Sequence, residues 1–450
     1  MNTIQKGFRG DMANGFNPES ASGLNEQTQQ HLEQRTKLLG PAYRLFYSDP
    51  VRVTRGSGVF LYDDAGTEYL DAYNNVVSVG HSHPRVVKAI SDQLGTLCTH
   101  TRYMQDGILH YAEQLLATLH GQIAGGHTMF TCTGSEANDL AMRIARHYTG
   151  RDGVIVTAEA YHGNSGVTAS FSPSLGKRSS LGPMVRTVPA PDSYRVAPEN
   201  IGQWMADNVA EQIADIERHG GGLAAFIVDS LFSSDGLYSH PLDVLKPVAE
   251  VVRRAGGVFI ADEVQCGFGR SGTHMWGHQR HNVDPDIVTL GKPMGNGYPV
   301  AGVIVRPEVV AGFGRDMRYF NTFGGNSVAI AAAQATLDVI QEEGLMANAT
   351  RVGQMISDGL KSIAARHPQI GDVRGTGLYF GVELVKDPHT KETDIDTGLA
   401  VVNMLRQRGV LISATGSDAN VLKIRPPLVF TEANADRLLS ELEAVFRLLQ

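Results

Sequence analysis

Two apolar runs constrain this chain more than any other feature, because each ends in a charged residue and the two ends lie thirty positions apart. GGVFIADEVQ delivers Asp262 and Glu263, and PDIVTLGKPMGNG delivers Lys292. Each reads as a buried strand that breaks into polar residues at its C-terminal end. In an open α/β sheet, ligands and catalysis sit at that edge. Strand patterns also occur at 154–157, 224–229 and 300–305, beside those at 258–261 and 287–290. Helical periodicity appears at 138–148, 201–217 and 242–255. This alternation, up to about residue 330, predicts an α/β fold with a mainly parallel, doubly wound sheet. VFLYDDAGTEYLDA (59–72) reads as a β-hairpin turning at Ala65-Gly66.

The texture changes near residue 328. SVAIAAAQATLDVIQEE is a long alanine-rich helix, followed by a helix near 351–366, strand patterns in GDVRGTGLYFGVELV and VLKIRPP, and a C-terminal helix. A chain of 450 residues exceeds one compact core. The expected division is an N-terminal segment, 1–70, that joins a small α+β domain at 331–450, with a large domain at 71–330. Residues 1–30, rich in Gly, Asn, Gln and Ser, are expected to be loosely ordered. The net charge of −8, from 47 acidic and 39 basic residues without a basic stripe, argues against nucleic acid as a partner. Three cysteines without CxxC spacing argue against a disulfide framework. The N-terminus carries no apolar targeting segment, and no run approaches the ~18 apolar residues of a membrane span. A cytoplasmic enzyme that uses no membrane is expected.

TGSEANDLAMRIARHY places Ala137, Leu140, Ala141, Ile144, Ala145 and Tyr148 at helical spacing, with Gly134, Ser135 and Glu136 at the helix start. A helix N-terminus offers free N–H groups and a positive dipole end, so a phosphate fits there and the Ser135 hydroxyl adds a bond. The structural alternative is an ordinary Ser cap. A lone lysine is usually a solvated charge. Lys292 instead follows a buried strand, and in a cleft desolvation would pull it below its reference pKa of ~10.4 and let it form a Schiff base with an aldehyde. Asp262 would hold the proton on a pyridine nitrogen, which fits a pyridoxal-phosphate site. Its alternative is a structural ion pair or a metal site. Tyr161, in AEAYHGNS, would stack on an aromatic ring with His162 assisting, against a core-packing alternative. GFGRSG (267–272) matches a dinucleotide-binding pattern, but no helical periodicity follows it, so that reading is rejected. GHSHP (80–84) has two histidines without further ligands, and no metal is expected.

Taken together, YLDAYNNVVSVGHSHP, CTGSEAND, AYHG, GGVFIADEVQCGFGR, GKPMGNGYPVAGV, YFNTFGGN and GDVRGTGLYFGVEL resemble a class III, fold type I, pyridoxal-phosphate-dependent aminotransferase from about residue 33 to 450. The resemblance implies that Lys292 is the Schiff-base lysine and proton shuttle, and that Asp262 pairs with the pyridine nitrogen. It implies that Val264 and Tyr161 sandwich the ring, that Gln265 reaches the phenolic oxygen, and that Gly134 and Ser135 hold the phosphate. It further implies that Thr322 reaches the phosphate from a neighbouring subunit, hence a homodimer with shared active sites. The chain departs from the family wording at Asp229-Ser230, where Glu followed by Pro or Ser is usual; this departure bears on the substrate-side polar network. It departs again at Ser327, where GGNP is usual; this second departure concerns a loop.

Within the family, GPAYRLFYSDPV, NNVVSVGH, GKPMGNG, RYFNTFGGN, IGDVRGTGL and VLKIRPP are similar to a phospholyase subgroup that cleaves O-phosphoethanolamine or phosphohydroxylysine to ammonia, phosphate and an aldehyde. The expected activity is therefore a phospholyase, with an ω-amino acid or amine:pyruvate aminotransferase as the alternative. Both remove a proton from the amine-bearing carbon with Lys292. A transaminase then needs a keto-acid acceptor, and a lyase expels phosphate from the adjacent carbon. Arg425, Arg102 and Asn75 are the candidate substrate-side residues. An arginine fork serves a carboxylate or a phosphate equally.

Overall fold

The computed structural model describes residues 12–176, 179–196 and 199–449. Its centre is a seven-stranded sheet in the spatial order His127–Thr131, Ala301–Val305, Ile287–Leu290, Val258–Asp262, Leu223–Asp229, Gly153–Thr157, Val185–Val188. Neighbours from Ile287–Leu290 onward run parallel. Ala301–Val305 is antiparallel to both its neighbours. Only residues 291–300, which include the 3-10 turn Lys292–Gly295, separate it from the preceding strand, and a parallel return needs a longer crossover.

The strands read from apolar runs are the inner ones, buried on both faces. The two that sequence reading missed, His127–Thr131 and Val185–Val188, are the sheet's edges. Their half-exposed residues break the apolar run. Alternate strand residues feed two cores. Val154, Ala225, Ile227, Val258 and Ile260 pack with Ala137, Leu140 and Ile144 of the helix Gly134–Thr149. Ile155, Phe226, Val228, Phe259 and Ala261 pack into the other core, with Met205 and Val209 of the helix Ile201–Arg218 and Val248 of the helix Leu245–Arg254. Helices thus cover both faces, which makes the sheet doubly wound.

A second, antiparallel sheet joins Ile370–Thr376, Tyr379–Asp387, Val421–Ile424 and Ser413–Thr415. The helices Leu345–Ala364 and Glu432–Leu448 pack together beside it. The hairpin Phe60–Asp63 with Glu68–Asp71 extends to Val53–Ser57 on one side. On the other side it pairs in parallel with Val410–Leu411, so the N-terminal region is hydrogen-bonded to the C-terminal one.

The expectation for residues 1–30 is corrected over 12–30; residues 1–11 lie outside the described residues. Asn14 and Phe16 are buried, and Ser413 Oγ donates to Asn14 Oδ1 at 2.8 Å. Asn25 caps the helix Glu26–Leu39 by accepting from Thr28 N at 2.8 Å. The polar residues that suggested looseness are caps and anchors. No helix among the described residues is long and apolar enough to cross a membrane.

Candidate active site

The C-terminal edges of three adjacent strands bring together Lys292, Asp262 and Asp229. One cavity is lined by these and by Gly134, Ser135, Asn138, Tyr161, His162, Gly163, Val264 and Gln265. Asp229 stands in register with Asp262 on the next strand. A wider, open groove between Asn200 and Pro247 lies apart from this cluster.

Asp262 is held from three sides. Val264 N donates to Oδ1 at 3.0 Å, and Asn138 Nδ2 donates to Oδ2 at 2.8 Å. His162 Nδ1 lies 2.7 Å from the same Oδ2. Asn138 Nδ2 also donates to His162 O at 2.7 Å, which locks the group together. Sequence reading missed Asn138. Its one signal was its place a turn beyond Gly134 on the buried side of the helix. His162 Nε2 and Asn138 Oδ1 are buried without a partner, unusual for groups this costly to leave unbonded.

The helix Gly134–Thr149 points its N-terminus into the cavity. Its capping box uses Thr133, which accepts from Glu136 N at 3.1 Å, while Glu136 Oε2 accepts from Thr133 N and Cys132 N. This spends the N–H of Glu136 and leaves those of Gly134 and Ser135 without acceptors among the described residues. The cap that the structural alternative assigned to Ser135 therefore falls to Thr133. Ser135 is freed from capping, and its hydroxyl bonds Asn164 among the described residues. A Cβ on Gly134 would lie 2.9 Å from Val264 Cγ1, and one on Gly163, at φ +140°, only 2.5 Å from Ser135 Oγ. The loops meet so closely that only glycine fits, leaving an anion cradle at a positive helix end.

Lys292 Nζ lies 6.0 Å from the centre of the Tyr161 ring. Burial lowers its pKa to about 8, the Arg425 charge adds to this, and Asp262 and Asp229 oppose it. A substantial neutral fraction thus exists near neutral pH, as a nucleophilic amine requires. These residues fit an aromatic aldehyde phosphate: Gly134 and Ser135 would hold its phosphate, Tyr161 and Val264 would flank its ring, Asp262 would meet its ring nitrogen and Lys292 its aldehyde.

The substrate-side candidates part company. Arg425 is buried one bond behind the cavity. It donates through Nε to Tyr73 O at 2.9 Å, and through Nη1 to Gln265 Oε1. Asn75 is also buried and donates to Gln265 O at 3.2 Å. Arg102 is exposed, lying 3.9 Å over the Phe320 ring. Thr322 is exposed and does not line the cavity of its own chain. Ser327 opens the helix Ser327–Glu342 rather than sitting in a loop. Its Oγ donates to Leu97 O at 2.7 Å and accepts from Thr99 N at 3.3 Å, so the departure there anchors the 97–99 segment. The GFGRSG segment leads into no α-helix; Arg270 is buried and donates to Leu378 O and Pro426 O. In GHSHP, His81 Nε2 bonds Asp71 Oδ2 at 2.7 Å.

The chain is similar to known proteins over most of its length. The family model for aminotransferase class-III matches residues 46–446. An ethanolamine-phosphate phospho-lyase homolog of Caenorhabditis elegans is 40% identical over 438 residues, covering 93% of each chain. An alanine–glyoxylate aminotransferase 2-like protein of Drosophila melanogaster is 40% identical over 421 residues, 91% of this chain and 85% of that one. Among solved structures, an Arthrobacter phospholyase in complex with phosphoethanolamine superposes with a TM-score of 0.89 at 42% identity, covering 93% of this chain and 99% of that one. With a family match across most of its length, and a cavity whose lining fits the cofactor of that family, the chain belongs to the class-III aminotransferase family and uses pyridoxal 5'-phosphate.

Proposed function

We propose that this enzyme is a phospholyase that eliminates phosphate and ammonia from O-phosphoethanolamine or a similar phosphorylated amine. The observation that carries the reading is Arg425, a cation buried behind the cavity. It is 6% exposed and has no carboxylate within ion-pair distance among the described residues. A buried charge is ordinarily paired, so an uncompensated guanidinium fits a ligand bearing a strong anion. Arg425 reaches the cavity through Gln265, whose side chain lines it beside Lys292. The likeness to a phospholyase holding phosphoethanolamine supports the same assignment.

Bound pyridoxal phosphate supplies the electron sink that makes the carbon beside the amine acidic. Lys292 Nζ takes the proton from that carbon. Asp262, fixed by Val264 N, Asn138 and His162, keeps the ring-nitrogen proton in place. Arg425 acts on the substrate's anionic end from behind Gln265, by its charge. No keto-acid acceptor enters, because the departing phosphate carries off the electron pair.

A homodimer belongs to this proposal. Tyr103, Met104, Leu109, Phe320 and Phe323 are exposed apolar residues on segments that meet where His100 packs edge-on against Phe320, 5.7 Å apart. Such a surface fits a second copy, which would bring its Thr322 to the anion cradle.

The test is phosphate release from O-phosphoethanolamine by the PLP-loaded enzyme without keto acid. Stoichiometric phosphate and ammonia establish the lyase. No release, with alanine formed from pyruvate and an ω-amine, assigns the aminotransferase activity instead.

A further inference from the structure

We propose that Asp229 is the general acid of the elimination, giving its proton to the oxygen of the departing phosphate. The inference rests on the phospholyase reading and extends it to a residue with no role so far.

Phosphate leaving a carbon as its fully ionised form is strongly basic, so the C–O bond breaks readily only if a proton arrives. Few groups lining the cavity can supply one. Both oxygens of Asp262 are engaged by Val264 N, Asn138 and His162. His162 is buried and spends Nδ1 on Asp262. Burial raises the Tyr161 phenol, making it a poorer donor. Lys292 is occupied with the carbon proton.

Asp229 is what remains, and the fold aims it at the site. It ends its strand in register with Asp262 and lines the cavity with Lys292. Leu231 N donates to Oδ1 at 2.9 Å, and the Ser233 hydroxyl also faces the carboxyl. The loop that follows is anchored by the second sheet. Lys423 Nζ donates to Ser233 O at 2.9 Å, Thr415 Oγ1 to the same oxygen at 3.0 Å, and Arg374 Nη2 to Gly236 O at 2.7 Å. The charged and titratable groups facing Asp229 are Asp262, Cys266, Lys292, Lys423, Tyr379 and Asp235. Burial raises the Asp229 carboxyl and the Asp262 charge adds to this, while the Ser233 hydroxyl, Leu231 N–H and Lys423 pull the other way.

The step balances. The C–H bond breaks and its proton moves to Lys292 Nζ, and that electron pair forms the carbon–carbon double bond. The C–O pair leaves on oxygen and takes the Asp229 proton, and a solvent proton restores the acid.

The test compares O-phosphoethanolamine with O-sulfoethanolamine, whose sulfate leaves as a weak base and needs no proton. In PLP-loaded Asp229→Asn, first-turnover elimination should fall about a hundredfold for phosphate and stay within about threefold for sulfate. The wild-type decline in phosphate release at high pH should vanish, and Asp229→Glu should recover to within about tenfold of wild type. Calorimetry with inorganic phosphate in buffers of different ionisation heat should show proton uptake by wild type and none by Asp229→Asn. Equal loss for both esters, retained phosphate elimination, or unchanged proton uptake would overturn the proposal. A wild type that releases no phosphate overturns the underlying functional reading as well.

Discussion

Cofactor-free protein isolates the titration of Lys292. Burial and the Arg425 charge hold this amine at about 8 instead of 10.5. That displacement disfavours the ammonium by roughly 3 kcal/mol, trimmed to about 2 because the amine borders the open cavity. At neutral pH the neutral amine is then about 300-fold more abundant than on an ordinary lysine. The rate at which the cofactor-free enzyme captures pyridoxal phosphate, followed by its visible absorbance in a stopped-flow instrument, should rise with pH around a midpoint near 8. Arg425→Met should move the midpoint up by removing a positive neighbour, and Asp262→Asn should move it down by removing a negative one. The same displacement affects stability. The unfolded chain holds the Lys292 proton up to 10.5 while the folded chain releases it near 8, so the cost applies in full below pH 8 and fades between these values. Cofactor-free Lys292→Met should therefore be more stable than wild type by about 2 kcal/mol at pH 7, with the gap closing as pH rises. A capture midpoint near the ordinary lysine value, unmoved by Arg425→Met, would refute the reasoning.

Three other substitutions probe the remaining parts of the site. Asp262→Asn should lower turnover at least about a hundredfold while pyridoxal phosphate stays bound, and a near-normal rate would assign the ring proton to another group. Gly163→Ala forces a Cβ to 2.5 Å from Ser135 Oγ at a φ that disfavours any side chain, so the dissociation constant for pyridoxal phosphate should rise at least about tenfold with helix content unchanged by circular dichroism. Glu263 is fully buried and accepts from Ser230 Oγ, Gly277 N and His278 N. Glu263→Ala should cost about 3–5 kcal/mol in chemical denaturation, and a loss under about 1 kcal/mol would contradict its structural role. Although burial opposes ionisation, His278 and the other donors hold the Glu263 carboxyl at about 2, so its stabilisation is complete above 4.5 and lost as pH falls toward 2.

The inner strands, the polar residues at their ends and the helix that follows Gly134 were legible in the sequence. Those signals are local: a strand buried on both faces must be continuously apolar, and the residue ending it must meet the sheet edge. Edge strands obey no such rule, and His127–Thr131 and Val185–Val188 went unread for that reason. The antiparallel direction of Ala301–Val305 was implicit in the short connection before it, but its place between Ile287–Leu290 and the unread edge strand His127–Thr131 came from the assembled sheet. The tertiary structure alone placed Asn138 and His162 on Asp262, joined Arg425 to Gln265 across 160 residues, and left Arg102 outside the cavity. The Asp229 departure was visible as a letter. Its meaning came from the Lys423 and Thr415 bonds that anchor the following loop, contacts between residues nearly 200 positions apart that no local pattern encodes.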